Sequence, residues 1–182
     1  INDGDKIIFS LGRLESQKNF SLLIDSFFNA YKKDATLKLI IAGGGSELNM
    51  LQHQIEHLGM KSNILLTGFI RNPYPIFKIA KLFCLTSIWE GMPVTIMESM
   101  SQGCPVISVD CKSGPAEMIV DGENGLLVES DIDSISNAII LVINNQNLLT
   151  RMSLNCVILA KQWDVKSYSK DFLDLICQPS KD

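Results

Sequence analysis

Six short apolar runs recur along this chain: KIIFSLG (Lys6–Gly12), LKLIIAG (Leu37–Gly43), NILLTG (Asn63–Gly68), LFCLTS (Leu82–Ser87), PVISVD (Pro105–Asp110) and GLLVE (Gly125–Glu129). Most are apolar at consecutive positions rather than at every second one, so a strand made from them must be covered on both faces. Longer segments of helical period lie between them: Asn19–Lys33, Ser46–Leu58, a shorter one near Pro75–Lys81, Pro93–Gln102 and Asp131–Asn144. The last carries Ile132, Ile135, Ile139 and Val142 at helical spacing. Two more helices are expected at about Asn147–Lys161 and Val165–Cys177. This alternation with short connections predicts an α/β fold, a Rossmann-like doubly wound parallel sheet with helices on both faces. Neither a repeat nor a low-complexity linker interrupts the 182 residues, so residues 1–182 are expected to form one domain.

In such a sheet ligands bind beyond the carboxyl ends of the strands, which makes the residues just after each strand the candidates. After the first run come Gly12, Arg13 and Lys18, followed by Asn19 as the expected N-cap of the next helix. Two cations on a loop entering a helix can converge with its free N–H groups on an anion, ideally a diphosphate. Exposed loop cations are also often just solvated, and these residues alone leave both readings open. After the second run, Gly43, Gly44 and Gly45 either let the main chain approach a ligand or simply form a tight turn, with Ser46 as the expected helix cap. The spacing is not G-x-G-x-x-G, so the dinucleotide fingerprint is absent.

The stretch SIWEGMPVTIMESMSQGCPVISVD (Ser87–Asp110) sets Glu90 in a glycine–proline turn and Glu98 on the helix that follows, with seven residues between them. Pro93 suits the first turn of a helix, where its missing N–H costs nothing. Helical spacing then gathers Val94, Ile96, Met97 and Met100 on one side and Thr95, Glu98, Ser101 and Gln102 on the other. Glu98 falls about 7.5 Å along the axis from Pro93, at about 1.5 Å per residue. Carboxylates accept hydrogen bonds from sugar hydroxyls, so the two glutamates could grip opposite ends of a nucleotide sugar. The N–H groups of Gly91 and Met92 would then meet its phosphates. Taken singly, Glu90 reads as a loop charge and Glu98 as a half-exposed helix glutamate; the intervening sequence favours the joint reading.

Taken in order, SLGRLESQKN, AGGGSE, TGF, SIWEGMPVTIMESMSQGCPVISVDCKSGPAEMI and DGENGLLV resemble the C-terminal half of retaining GT-B glycosyltransferases of family 4. The resemblance runs from about Lys6 to Asp133, with a further segment around Trp163. It implies the donor-binding half of a two-domain enzyme. The chain begins at Ile1 rather than at a methionine, and the acceptor-binding N-terminal domain is expected to be absent from it.

Residue roles follow from the resemblance. Arg13 and Lys18 match the basic pair that neutralises the donor diphosphate and the departing nucleoside diphosphate. Glu90 matches the glutamate near the donor sugar, completing the catalytic set, and Glu98 the glutamate that binds the ribose hydroxyls. Gly91, Met92, Pro93 and Val94 supply main-chain contacts to sugar and phosphate, and Gly12 and Gly44 belong to the same donor-binding set. Phe69 and Ile70 fall where the family's backbone meets the base edge. Gly114, Pro115 and Glu117 resemble a further family segment to which no role is assigned. Many relatives carry Phe or another residue where this chain has Met92, a difference that bears on sugar choice.

The implied reaction is a metal-independent, retaining transfer from a nucleotide-diphosphate sugar, expected to be a UDP-sugar, to a saccharide or lipid-linked acceptor. No cofactor and no general base from this chain are expected, and the fragment alone is expected to be inactive. Two other readings stay open. A non-hydrolysing UDP-sugar epimerase would need acid/base groups that histidines confined to one polar helix do not supply. A non-catalytic nucleotide-binding module would be expected to lose the paired glutamates or the Arg–Lys loop. Bacterial surface polysaccharide assembly is the expected setting, by analogy.

A net charge of −4 points away from nucleic acid or an anionic membrane surface as partner. No apolar run approaches the roughly 20 residues of a membrane span; the longest tight one is Ala138–Ile143. The five cysteines (Cys84, Cys104, Cys111, Cys156 and Cys177) are odd in number and lack C-x-x-C spacing. They read as reduced core thiols of a cytoplasmic protein, at the inner membrane face when full length. His53 and His57 match an H-x-x-E-H zinc pattern, but on a polar helix without a third ligand they read as a surface face. The D-x-D of Asp131–Asp133 reads as a helix start, where carboxylates complement the dipole. Ser46, Ser99 and Ser113 lack a G-x-S-x-G context.

Overall fold

The computed structural model describes residues 4–163, so the helix expected over Val165–Cys177 lies outside the described residues. Strands β1 (Lys6–Leu11), β2 (Leu37–Ala42), β3 (Ile64–Leu66), β4 (Leu82–Leu85), β5 (Val106–Val109) and β6 (Gly125–Val128) form one sheet in the order β3-β2-β1-β4-β5-β6. Every pairing in it is parallel. The chain winds outward from β1 to one edge, then returns to the centre at β4 and winds to the other. The crevice between the carboxyl ends of β1 and β4 is therefore the topological switch point. The connections carry α1 (Phe20–Tyr31), α2 (Leu48–His57), α3 (Tyr74–Ile79), α4 (Val94–Ser101), α5 (Pro115–Met118), α6 (Ile132–Ile143) and α7 (Gln146–Ala160).

Both faces of the sheet are covered, as the unbroken apolar runs demand. Ile8 of β1 joins Leu39 and Ile41 of β2 in a core closed by α1, α2 and α6 through Leu23, Ile24, Phe27, Leu51 and Ile139. Its neighbours Ile7 and Phe9 point to the opposite core, closed by Phe77 of α3, Ile96 and Met100 of α4 and Cys156 of α7. There Phe9, Phe77 and Phe83 meet edge to face, with ring centroids 4.9 to 6.1 Å apart. A strand reading apolar at consecutive positions is thus satisfied by two helical layers at once.

Several expected details are corrected by the tertiary structure. Strand β3 spans three residues, Ile64–Leu66, rather than six, although Asn63, Thr67 and Gly68 still hydrogen-bond to β2 and the residue after it, and Gly68 takes φ +71° where that pairing ends. Pro93 is the residue before α4, with ψ 84°, so the helix starts at Val94. Val94 is 56% exposed instead of facing the core, and Ser99 replaces it inside, its hydroxyl donating to the Cys104 carbonyl at 2.8 Å. The core stripe of α4 is then Ile96, Ser99 and Met100, and Val94 lies in the first turn, ahead of that stripe.

Asn19 does not cap α1 with its side chain. It adopts a left-handed backbone (φ 49°, ψ 46°) that joins a 3-10 turn, Ser16–Lys18, to the helix. Asp131 caps α6 as expected, accepting the Ser134 N–H at 2.8 Å. Helix α5 and the 3-10 turn are too short to leave a periodic pattern in the sequence. Both histidines of α2 are exposed. No helix among the described residues is long and apolar enough to cross a membrane.

Candidate functional site

The loops leaving β1 and β4 are sewn together across the switch point. The Ile88 N–H donates to the Gln17 carbonyl at 2.8 Å, and Gln17 Nε2 donates back to the Trp89 carbonyl at 2.8 Å. The Thr86 hydroxyl faces the carbonyls of Lys18 and Asn19, 3.1 Å from each. At the centre the Lys18 ammonium is ion-paired with Glu90 Oε1, both side chains being largely buried (14% and 8% exposed). The Ser87 hydroxyl donates to the same oxygen at 2.6 Å, and the Ser113 hydroxyl donates to the Glu90 carbonyl at 2.7 Å. Glu90 is therefore held on both its main chain and its carboxylate by residues from three loops.

A second seam joins the β1 and β2 loops. The Leu14 N–H donates to the Gly44 carbonyl, and the Glu47 N–H donates to the Leu14 carbonyl, each at 2.9 Å. Ser46 does not cap α2; its N–H and hydroxyl both donate to the Glu15 carboxylate. Those two hydrogen bonds, aided by the nearby Arg13 charge, hold the Glu15 carboxyl below its ordinary range. The glycine run serves this packing. A Cβ on Gly43, whose φ is +144°, would lie 1.8 Å from the Gly12 oxygen, and one on Gly45 would lie 2.3 Å from the Leu14 oxygen. Gly44 faces open space.

The residues singled out from the sequence fall along one edge of the sheet in strand order. Phe69, 84% exposed, and Ile70 follow β3; Gly44 follows β2; Gly12, Arg13 and Lys18 follow β1; Glu90, Gly91, Met92 and Pro93 follow β4. Three strand spacings separate the ends of that row, about 14 Å at roughly 4.8 Å each. Lys18 and Glu90 touch directly. Arg13 is exposed and its side chain makes no hydrogen bond among the described residues.

The main-chain N–H groups of Gly91 and Met92 likewise have no acceptor among the described residues, just ahead of the positive end of α4. Glu98 is half-buried in the second turn of α4, about 6 Å along from Val94 at about 1.5 Å per residue. Burial raises its carboxyl above the ordinary value, and no donor among the described residues offsets it. Along this edge lie Arg13, Lys18, two N–H donors unpaired among the described residues and two carboxylates, with Lys18 and Glu90 engaged with each other.

Ser87, Ser113, Gln17 and Thr86 were not legible beforehand. Serine, threonine and glutamine mark no chemistry by type, and their partners lie far away in sequence. Gly114, of unassigned role, proves to be a buttress: its φ is +88°, and a Cβ there would lie 2.5 Å from the Gly91 oxygen and 2.7 Å from Pro93 Cδ.

Residues 1–156 match the family model described as "Glycosyl transferases group 1". The chain is 41% identical over 128 residues to the N-acetylgalactosamine-N,N'-diacetylbacillosaminyl-diphospho-undecaprenol 4-alpha-N-acetylgalactosaminyltransferase of Campylobacter jejuni, covering 70% of this chain and 34% of that protein. It is 32% identical over 145 residues to the poly(ribitol-phosphate) alpha-N-acetylglucosaminyltransferase of Staphylococcus aureus, covering 79% of this chain and 29% of that one.

Among solved structures, a mutant of S. aureus TarM in complex with fondaparinux, alpha-GlcNAc-glycerol and UDP superposes with a TM-score of 0.89 at 28% identity, over 96% of this chain and 36% of that one. HepE of Anabaena in complex with UDP superposes with a TM-score of 0.90 at 22% identity, over 97% of this chain and 50% of that one, and shares the fold. The chain spans from 24% to 49% of the curated relatives' own length. The sheet with helices on both sides is that of a Rossmann-like GT-B domain. With that fold, and with residues 1–156 matching the family model, the chain belongs to the group 1 glycosyl transferases.

Proposed function

We propose that this chain is the donor-binding half of a retaining, family 4 glycosyltransferase that takes a nucleotide-diphosphate sugar, best a UDP-sugar, and passes the sugar to a saccharide or lipid-linked acceptor. The observation that carries the reading is the Lys18–Glu90 ion pair at the switch point, beside the free N–H groups of Gly91 and Met92 and the start of α4, with Arg13 exposed on the same loop as Lys18. The nucleotides in the TarM and HepE complexes make UDP the first nucleotide to try.

In this reading the diphosphate lies over Gly91 and Met92 between Arg13 and Lys18. Glu98 accepts the ribose hydroxyls, and Glu90 accepts a hydroxyl of the transferred sugar. The base lies toward Phe69 and Ile70, and Gly12, Gly44, Pro93 and Val94 line the path. As the anomeric C–O bond breaks, the electron pair passes to the diphosphate oxygen, where the two cations and the helix dipole stabilise it. The acceptor oxygen bonds to the anomeric carbon on the same face, and its proton passes to the leaving phosphate, so no general base is drawn from this chain. The cations supply the positive charge that a metal would otherwise bring. Acceptor recognition belongs to the remainder of the protein, which the reading places in the cytoplasm at the inner membrane face.

The test is a thermal-shift panel of UDP, GDP, ADP and CDP, with and without EDTA, on the protein and on Arg13→Ala, Lys18→Ala and Glu98→Ala. UDP should raise the melting temperature in either buffer, and each substitution should shrink the rise. A folded protein that no nucleoside diphosphate stabilises would remove the reading. Incubation with labelled donor and acceptor, followed by NMR of the anomeric configuration, tests retention.

A further inference from the structure

Ser87 is 1% exposed, and its hydroxyl stands 2.6 Å from Glu90 Oε1. Against a carboxylate it can only donate. The same oxygen accepts from the Lys18 ammonium, so Oε1 carries both hydrogen bonds of the Glu90 carboxylate among the described residues. The cation that the proposed donor diphosphate needs is thus already occupied. Any anion that recruits Lys18 must draw it from a carboxylate that is 8% exposed and gains little from water.

Resting on the nucleotide-sugar reading, we propose that Ser87 is a positioning residue that governs the availability of Lys18 to the diphosphate. With its hydroxyl in place, Glu90 keeps one donor when the ammonium turns to the phosphates. Without it, Lys18 is the sole donor to a buried carboxylate, and withdrawing it strands that charge. Ser87 therefore favours nucleotide binding while Glu90 opposes it until a sugar hydroxyl arrives to replace Lys18. Free nucleoside diphosphate brings no such hydroxyl, so after transfer Glu90 competes for Lys18 and favours product release.

This arrangement sets opposite signs on two substitutions that both remove a buried polar contact. Ser87→Ala should weaken UDP binding about fivefold, because its hydrogen bond to Glu90 counts for more once Lys18 has turned to the phosphates than while both donors are in place. Glu90→Gln should tighten it about tenfold, because Lys18 no longer has a competing charge. A merely structural role for Ser87 would weaken binding equally with and without Lys18.

The experiment is calorimetric titration of the full-length protein with UDP, in the wild type, Ser87→Ala, Glu90→Gln, Lys18→Ala and the Lys18→Ala, Ser87→Ala double variant, and of the wild type with GDP and ADP. The expected result is the opposite pair of shifts, with Ser87→Ala adding nothing in the Lys18→Ala background. Ser87→Cys, similar in volume with a weaker donor, gives the same sign should Ser87→Ala not fold. Shifts of the same sign, no shift, or an equal Ser87→Ala loss without Lys18 would overturn the proposal while leaving UDP binding intact. A wild type that binds no UDP, GDP or ADP would remove the nucleotide reading and this inference together.

Discussion

The Lys18 ammonium meets the Glu90 carboxylate across 72 residues of sequence, each side chain largely shielded from water. One comes from the loop after β1 and the other from the loop after β4, the two strands flanking the switch point. Burial makes the pair interdependent: each charge is tolerable there because the other is present.

Breaking that pair from one side should be costly. Lys18→Ala or Glu90→Ala alone should lower the unfolding free energy by about 3 kcal/mol, and the double variant should cost much less than the sum of the two. Urea denaturation of the four proteins gives the coupling directly. Additive losses would mean that the ion pair does not matter to the fold.

The glycine run separates packing from access. Gly43→Ala should destabilise by more than about 3 kcal/mol, since its Cβ would overlap the Gly12 carbonyl at a left-handed φ. Gly44→Ala should leave the melting temperature within a degree or so, because nothing stands within 4 Å of the added methyl. If the main chain of Gly44 lies against the donor, that same variant should still bind UDP less well. Calorimetric melting with and without UDP separates the two effects.

Glu98 should show a conflict between stability and binding. Burial raises its carboxyl, so ionised Glu98 disfavours the folded chain at neutral pH, and the penalty is relieved as pH falls through its raised value. Glu98→Gln should therefore melt slightly higher than the wild type at pH 7 while binding UDP more weakly. Wild-type UDP affinity should also begin to fall at a pH above the ordinary glutamate range. A variant that melts lower at pH 7 would contradict the burial argument.

Acid stability should carry the signature of Asp34. Burial alone would raise its carboxyl, but donors from Lys6 (2.8 Å) and from the Thr36 hydroxyl and N–H outweigh it and hold the carboxyl at about 2. A depressed folded value means that the stabilisation is present above the ordinary value and is lost as pH falls from about 4 toward about 2. Asp34→Asn should flatten that part of the acid-denaturation curve and lower stability at pH 7. An unchanged acid limb would remove Asp34 from the account.

The core thiols should resist alkylation. Cys84 and Cys156 are fully buried and burial pushes both thiols up, while Cys104 is pushed up to about 12. Iodoacetamide at pH 8 should label none of the three in native protein and all three in urea, by mass spectrometry of tryptic peptides. Native labelling of Cys104 would show that α4 and β5 open on the labelling timescale.

Local patterns specified much of this protein. Consecutive apolar positions in Ile7–Phe9, Leu39–Ala42 and Leu82–Leu85 can be satisfied only by a two-sided sheet, so strand order of appearance and fold class followed from the chain itself. The cations after β1 and the glutamates around α4 were likewise visible, because charged types at a strand end are rare enough to notice. What the linear order could not carry was partnership. That Ser46 serves Glu15 rather than α2, that Ser99 rather than Val94 enters the core, and that Ser87 shares Glu90 with Lys18 were decided in three dimensions. Hydrogen bonds reach only about 3 Å, and the groups that make them were brought within that reach by strand order, which no local pattern encodes.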